Sequence, residues 1–139
     1  MLATGKGDER SAHRSLWRAA AVCCADDDQA ATAVVGALRS ALERRRRGDW
    51  ARGDVWRALT SELRAAAHGR APASRGGLRD AVAALPSDQR LAIALIDVAG
   101  LGTARAAAAA GVECARLARS RRAGLAALAH LRQAAAVGA

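Results

Sequence analysis

Arg116, Arg119, Ser120, Arg121 and Arg122 place four guanidinium groups and a hydroxyl in one short stretch, with Glu113 as the nearby carboxylate. A guanidinium offers a planar fork of donors that fits phosphate oxygens, or the O6/N7 edge of guanine, two bonds at a time. The chemistry on offer is therefore recognition of a polyanion, and Arg105 just upstream adds to it. The whole chain is basic, with 22 Lys and Arg against 13 Asp and Glu and a formal charge of +9. A solvated basic surface is the plain alternative, but the bias sharpens after Arg70, where 9 basic residues face 4 acidic ones. The second basic run, Arg44-Arg45-Arg46-Arg47, ends a helical pattern. Cations suit the negative end of a helix dipole, so this run is at least partly a capping device, with a nucleic-acid or acidic-partner patch as the alternative.

No catalytic constellation emerges. His13, His68 and His130 fall in different segments, and none has a cysteine or carboxylate at metal-ligand spacing. Cys23, Cys24 and Cys114 form no CxxC pair, so neither a disulfide scaffold nor a metal site is expected, and a reducing cytoplasm is the default. Gly5-Lys6-Gly7 is too short for a phosphate loop. The expectation is a non-enzyme with no cofactor. No apolar run approaches the ~20 residues of a membrane span. A cytoplasmic protein without a membrane partner is expected.

The elements that would carry the arginines are helical throughout. Alanine is abundant and Phe and Tyr are absent, so the core must come from Leu, Val, Ile, Ala and three tryptophans. Each helix then buries modest area, and marginal stability follows. A first helix is expected over about 9–24, with His13, Leu16, Trp17, Ala20 and Cys24 on one face. Asp26-Asp27-Asp28 caps a second over about 28–46, whose inner stripe is Ala31, Val34, Val35, Leu38 and Leu42, and Gly48 closes it. Asp54 caps a third to about Ala67, burying Val55, Leu59, Leu63 and Trp56. Trp50 and Trp56 are read as core or loop anchors before base-stacking platforms. Residues 69–77 are rich in Gly, Pro and Ser and read as a linker, dividing a first unit at 1–68 from a second at 78–139.

Past the linker a short helix spans 78–85. Ser87 caps the next, to about Ala99, with Leu91, Ala94, Leu95 and Val98 inward. An alanine-rich helix follows over 103–110, then Gly111-Val112, then a last helix from about Glu113 to Leu131 held by Leu117, Leu125, Leu128 and Leu131. A bracing helix, a tight turn and an arginine-bearing helix are the parts of a helix-turn-helix.

Leu85, Pro86, Gln89, Arg90, Asp97, Gly100, Leu101, Ala104, Ala107, Gly111 and Val112 stand in an order and spacing that resemble the C-terminal, promoter-reading domain of bacterial RNA polymerase sigma factors of the extracytoplasmic-function class. The resemblance covers about fifty residues. It implies an all-α fold of two small helical domains, the second a helix-turn-helix of the sigma type. Arg116, Arg119 and Ser120 would then be the best base-contact candidates, Arg121 and Arg122 would serve phosphate, and Arg105 would reach the backbone from the bracing helix. Cys114 and Ala118 stand where the family has longer polar residues, which thins the base readout. The first half resembles the family's polymerase-gripping domain more weakly, through Asp26-Asp27-Asp28-Gln29 followed by Val34, Val35, Leu38 and Leu42, with Trp56 in the place of the family's tryptophan. That implies polymerase contact through Val34, Val35, Leu38, Arg39 and Leu42. Thr32-Ala33 replaces the family's Gln-Glu, and its usual promoter-trapping aromatics are missing.

The resemblance implies a transcription initiation or regulatory protein whose partners are promoter DNA near the −35 element, core RNA polymerase and an anti-sigma factor. The alternative is a degenerate sigma-like adaptor or anti-sigma-binding module that acts through protein contacts without initiating transcription. An ordinary helix-turn-helix repressor, dimeric on a palindromic site, is a third reading.

Overall fold

The computed structural model describes residues 6–24, 26–48, 54–66 and 77–137. The loop around Trp50, the cap expected of the Asp54 side chain and nearly all of the expected linker lie outside the described residues. Within them the chain is helical: α1 (Lys6–Cys23), α2 (Asp27–Arg46), α3 (Asp54–Ala66), α4 (Leu78–Ala83), α5 (Ser87–Ile93), α6 (Thr103–Ala110) and α7 (Cys114–Val137), with no strand among the described residues. A π turn, Ala94–Val98, continues α5.

Local chemistry explains most of the boundaries. Asp26 sits in extended conformation before α2, and its carboxylate accepts from the Gln29 N–H at 2.7 Å, satisfying one of the helix's orphan donors. Gly48, at φ 79°, closes the same helix. Ser87, expected as a cap, is instead the first residue of α5. Pro86 precedes it, and no side-chain bond caps that terminus.

The first and second halves share one hydrophobic core. Leu16, Ala19 and Ala20 of α1, Ala30, Ala33 and Ala37 of α2, and Trp56, Leu59 and Leu63 of α3 belong to the same buried cluster as Leu91, Leu95, Leu101, Ala106, Ala107, Ala110 and Leu117. A smaller cluster of Val82, Leu85 and Ile93 is flanked by Val22, Ala127 and Leu128. Thr60 is buried too, its hydroxyl donating to the Trp56 carbonyl at 2.8 Å.

Several expected inner faces are corrected by the packing. On α1 the buried residues are Leu16, Ala19, Ala20 and Cys23, while His13 is exposed and Trp17 is 47% exposed. On α2 the buried stripe is Ala30, Ala33, Ala37 and Ala41. Val34 and Leu38 are half-buried beside it, and Val35 and Leu42 point to solvent. Small residues face inward because α2 and α3 lie close together, leaving the larger apolar side chains on the margin or outside. Along α5 and into the π turn, Leu91, Ala92, Ile93, Ala94 and Leu95 are all buried in succession because this helix serves both clusters, while Val98 is only half-buried. On α7, Leu117 is buried, Leu128 is half-buried, and Leu125 and Leu131 are exposed.

What holds α7 against α5 in place of those leucines is a close approach at Gly124. A Cβ there would lie 2.7 Å from Ile93 Cδ1 and 3.2 Å from Gln89 Cβ. Ile93 is itself buried, and Gln89 Cβ is fixed to the backbone, so neither can give way cheaply. Gly36 on α2 is the opposite case, since a Cβ there would meet only the mobile end of the Glu62 side chain. Gly124→Val should therefore destabilise the fold by about 2–3 kcal/mol through overpacking. Gly36→Ala should stabilise it by about 0.5–1 kcal/mol through helix propensity. Urea unfolding of both variants checks the pair, and equal effects would refute this account of the α5–α7 contact.

Candidate nucleic-acid interface

The alanines of α6 let it lie flat on the core: Ala106, Ala107, Ala109 and Ala110 are buried, and Arg105 is exposed on the other side. Gly111 then takes the left-handed conformation at φ 68°. Its N–H donates to the Ala108 carbonyl at 3.3 Å and the Val112 N–H to the Ala107 carbonyl at 3.1 Å. These are the two bonds of a Schellman motif, and half-buried Val112 packs against the core as the apolar member of that motif. The turn fixes the direction in which α7 leaves, and α7 opens with the arginine cluster.

Two further arginines brace this region from outside it. Arg64, in the last turn of α3, donates to the Ala110 carbonyl at 2.6 Å, fastening the end of α6 to the first half. Arg90 donates to the Ala83 carbonyl at 3.0 Å and so ties α5 to the end of α4. The Leu85-Pro86-x-x-Gln89-Arg90 pattern thus has a structural account: Leu85 is buried, Pro86 stands just before the new helix, and Arg90 reaches back across the corner. Gly100 and Leu101 act together at the other end. Gly100 turns at φ 77°, and the Leu101 N–H returns to the Leu95 carbonyl at 3.0 Å, which buries Leu101.

The expected contact residues do not form one uniform set. Arg105, Arg116, Arg119 and Arg122 are exposed, and Ser120 is half-buried. Arg119, Arg122 and Arg105 enter no ion pair among the described residues. Arg116 meets Asp88 at 3.9 Å, a long contact between two largely exposed side chains that contributes little. Arg121 differs. Its Nε and Nη2 donate to the two carboxylate oxygens of Asp97 at 2.9 and 2.7 Å. Those hydrogen bonds, with the charge of Asp97, hold the guanidinium above its ordinary pKa. Arg121, expected to serve phosphate, clamps α7 to the π turn that ends α5, with two of its five donors committed to Asp97. Cys114 is exposed and Ala118 half-buried, so the first turn of the arginine helix presents few long polar side chains.

On the opposite half, the residues expected to grip a protein partner also divide. Val35, Arg39 and Leu42 are exposed, whereas Val34 and Leu38 pack against the core. Trp56 is 4% exposed and belongs to the core, as the anchor reading expected. Arg64, Asp88 and Asp97 take part through partners that the sequence pattern does not mark. A cation in the last turn of a helix gives no sign that it will reach a carbonyl 46 residues later, nor does Asp97 reveal its partner on α7.

No protein-family model, characterised protein or solved structure matches the chain. Among the described residues no His, Cys, Asp and Glu cluster could hold a metal ion, and no helix is long and apolar enough to cross a membrane.

The cysteines provide a chemical test of the packing. Burial, the dominant cause, pushes the Cys23 thiol up to about 12, against a lowering by Arg90 and a small rise from Cys24. Cys114 is exposed. A thiol reagent at mildly alkaline pH should modify Cys114 rapidly and leave Cys23 until the chain unfolds, as peptide mass mapping would reveal. Because the folded value lies above the ordinary 9.0, ionisation favours the unfolded chain above that pH. The Cys23 contribution to stability should be intact below pH 9.0 and decline toward about 12, and Cys23→Ala should flatten that part of the profile.

Proposed function

We propose that this chain is a sigma-factor-like transcription protein whose α6–turn–α7 segment reads promoter DNA near the −35 element as a helix-turn-helix and whose α2 surface docks on core RNA polymerase. The observation that carries the reading is the solvent exposure of Arg105, Arg116, Arg119 and Arg122 around a rigid turn, on the two helices where the sequence pattern puts promoter contacts. A net charge of +9 would favour encounter with DNA. Arg119 and Ser120 would approach base edges, Arg105 and Arg122 the phosphates, and Arg121 would hold the angle of α7 through Asp97. On α2, exposed Val35, Leu42 and Arg39 offer an apolar strip with a cation for a protein partner.

A second reading is favoured by one observation. Trp56, the tryptophan aligned with the family's, is buried in the core and so is not placed to stack on an unpaired base, and the chain has no Phe or Tyr. A sigma-like adaptor that binds polymerase or a regulator without opening DNA would retain the exposed α2 surface and dispense with such a stack.

Binding of a promoter duplex should fall steeply with salt. Arg119→Ala should lower the slope of log affinity against log salt by about 1, whereas Arg121→Ala should change it less because Asp97 already holds that side chain. Retention of no duplex at low salt, with core polymerase present or absent, would sink the DNA reading. The double variant Val35→Glu, Leu42→Glu should abolish capture of core polymerase with helicity and melting temperature unchanged. In a reconstituted run-off assay, specific transcripts support initiation, and polymerase capture without transcripts supports the adaptor.

A further inference from the structure

A shallow cleft, open to solvent and enclosing only about 10 Å³, lies where the last turn of α3 meets the turn between α6 and α7. Buried Leu91 and Leu117 form part of its lining, and Arg64, Arg116, Ser120 and Asp88 supply its polar groups. Small-molecule sites usually enclose about 300–1,000 Å³ and bury most of the ligand. This cleft is far smaller and would bury no ligand, so it offers a surface contact to one charged group of a larger partner and no site for a whole metabolite.

The polar groups favour an anion. Two guanidiniums face one carboxylate. Arg64 commits one donor to the Ala110 carbonyl, and a guanidinium has five. Arg116 is held by Asp88 only at 3.9 Å, with both side chains more than half exposed, so a closer anion can take it over. The site lies beside the first turn of α7, the positive end of that helix.

We propose that this cleft takes one backbone phosphate of the DNA duplex that α7 reads, with Arg64 contributing from α3, outside the helix-turn-helix. The proposal rests on the DNA reading given under Proposed function and names a contact that reading lacks. Phosphate contacts set the register of a recognition helix in its groove. With Arg64 bonded to the end of α6 and also to a phosphate, the first half of the chain fixes how the second half lies on DNA. Asp88 opposes the phosphate, because its carboxylate stands near Arg116 and repels a second anion there.

Anisotropy of a labelled promoter duplex, titrated with full-length protein over a range of salt, tests this. Arg64→Met should weaken binding about threefold to tenfold at low salt and lower the salt slope by about 1, and Arg64→Lys should recover part of the loss. Asp88→Asn should tighten binding about twofold to fivefold. That gain cannot arise from a damaged fold, so it decides the matter even if Arg64→Met melts early. Asp28→Asn makes the same charge change on α2 and should leave affinity unchanged; equal gains from both would reduce Asp88 to its net charge and overturn the site. If Arg119→Ala weakens binding while Arg64→Met and Asp88→Asn do not alter it, the cleft is overturned and the DNA reading stands. If the wild-type chain binds no duplex, both fall together. Inorganic phosphate titrated alone separates the remaining source: amide shifts at Arg64 and Ser120, with duplex binding indifferent to Arg64→Met, would mark a free-phosphate site and overturn the assignment to DNA.

Discussion

Close approach of helices across alanine-lined faces governs this fold. The chain has no Phe or Tyr, and alanines outnumber leucines among its buried residues, so the core can be dense only if the helical backbones come near one another. Ala30, Ala33, Ala37 and Ala41 allow that for α2, Ala106, Ala107, Ala109 and Ala110 for α6, and Gly124 for α7. Two consequences follow from one cause. Every such face is intolerant of added volume, and the larger apolar residues for which there is no room inside, Val35, Leu42, Leu125 and Leu131 among them, stand on the surface.

The same constraint explains which parts of the architecture were legible in the sequence. α6 was read with its observed ends because Gly102 and Gly111 bound it and its alanines have no competing preference. The start of α2 was legible from its aspartates for a similar reason, since capping is a matter of nearest neighbours. The inner face of α2 was not. A pattern reading puts the larger hydrophobes inside, and here the fully buried stripe is alanine alone, with Val34 and Leu38 at its margin. The π turn after α5 was also invisible, because a single extra residue in a helix leaves composition and periodicity nearly unchanged.

At the interface, exposure of Arg105, Arg116, Arg119 and Arg122 was legible because a basic cluster on a helix with few apolar neighbours has nowhere else to go. Partnership was not. Arg121 and Arg122 are adjacent and chemically identical, yet one clamps Asp97 with two bonds and the other is exposed. Arg64 reaches the end of α6 only because α3 packs there. Such assignments depend on tertiary placement, and a local pattern carries no information about it.

The core shared by the two halves bears on how such a chain can change over evolutionary time. A reading head that folds by itself can be copied into other genes and joined to new companions. Here the bracing helix α6 is covered by α3, and its final carbonyl is held by Arg64. Recombination that carried residues 78–139 elsewhere would leave α3 behind and present the buried alanines of α6, with Leu91 and Leu95, to water. The two halves are thus inherited most safely together, and their sequences can drift only in step.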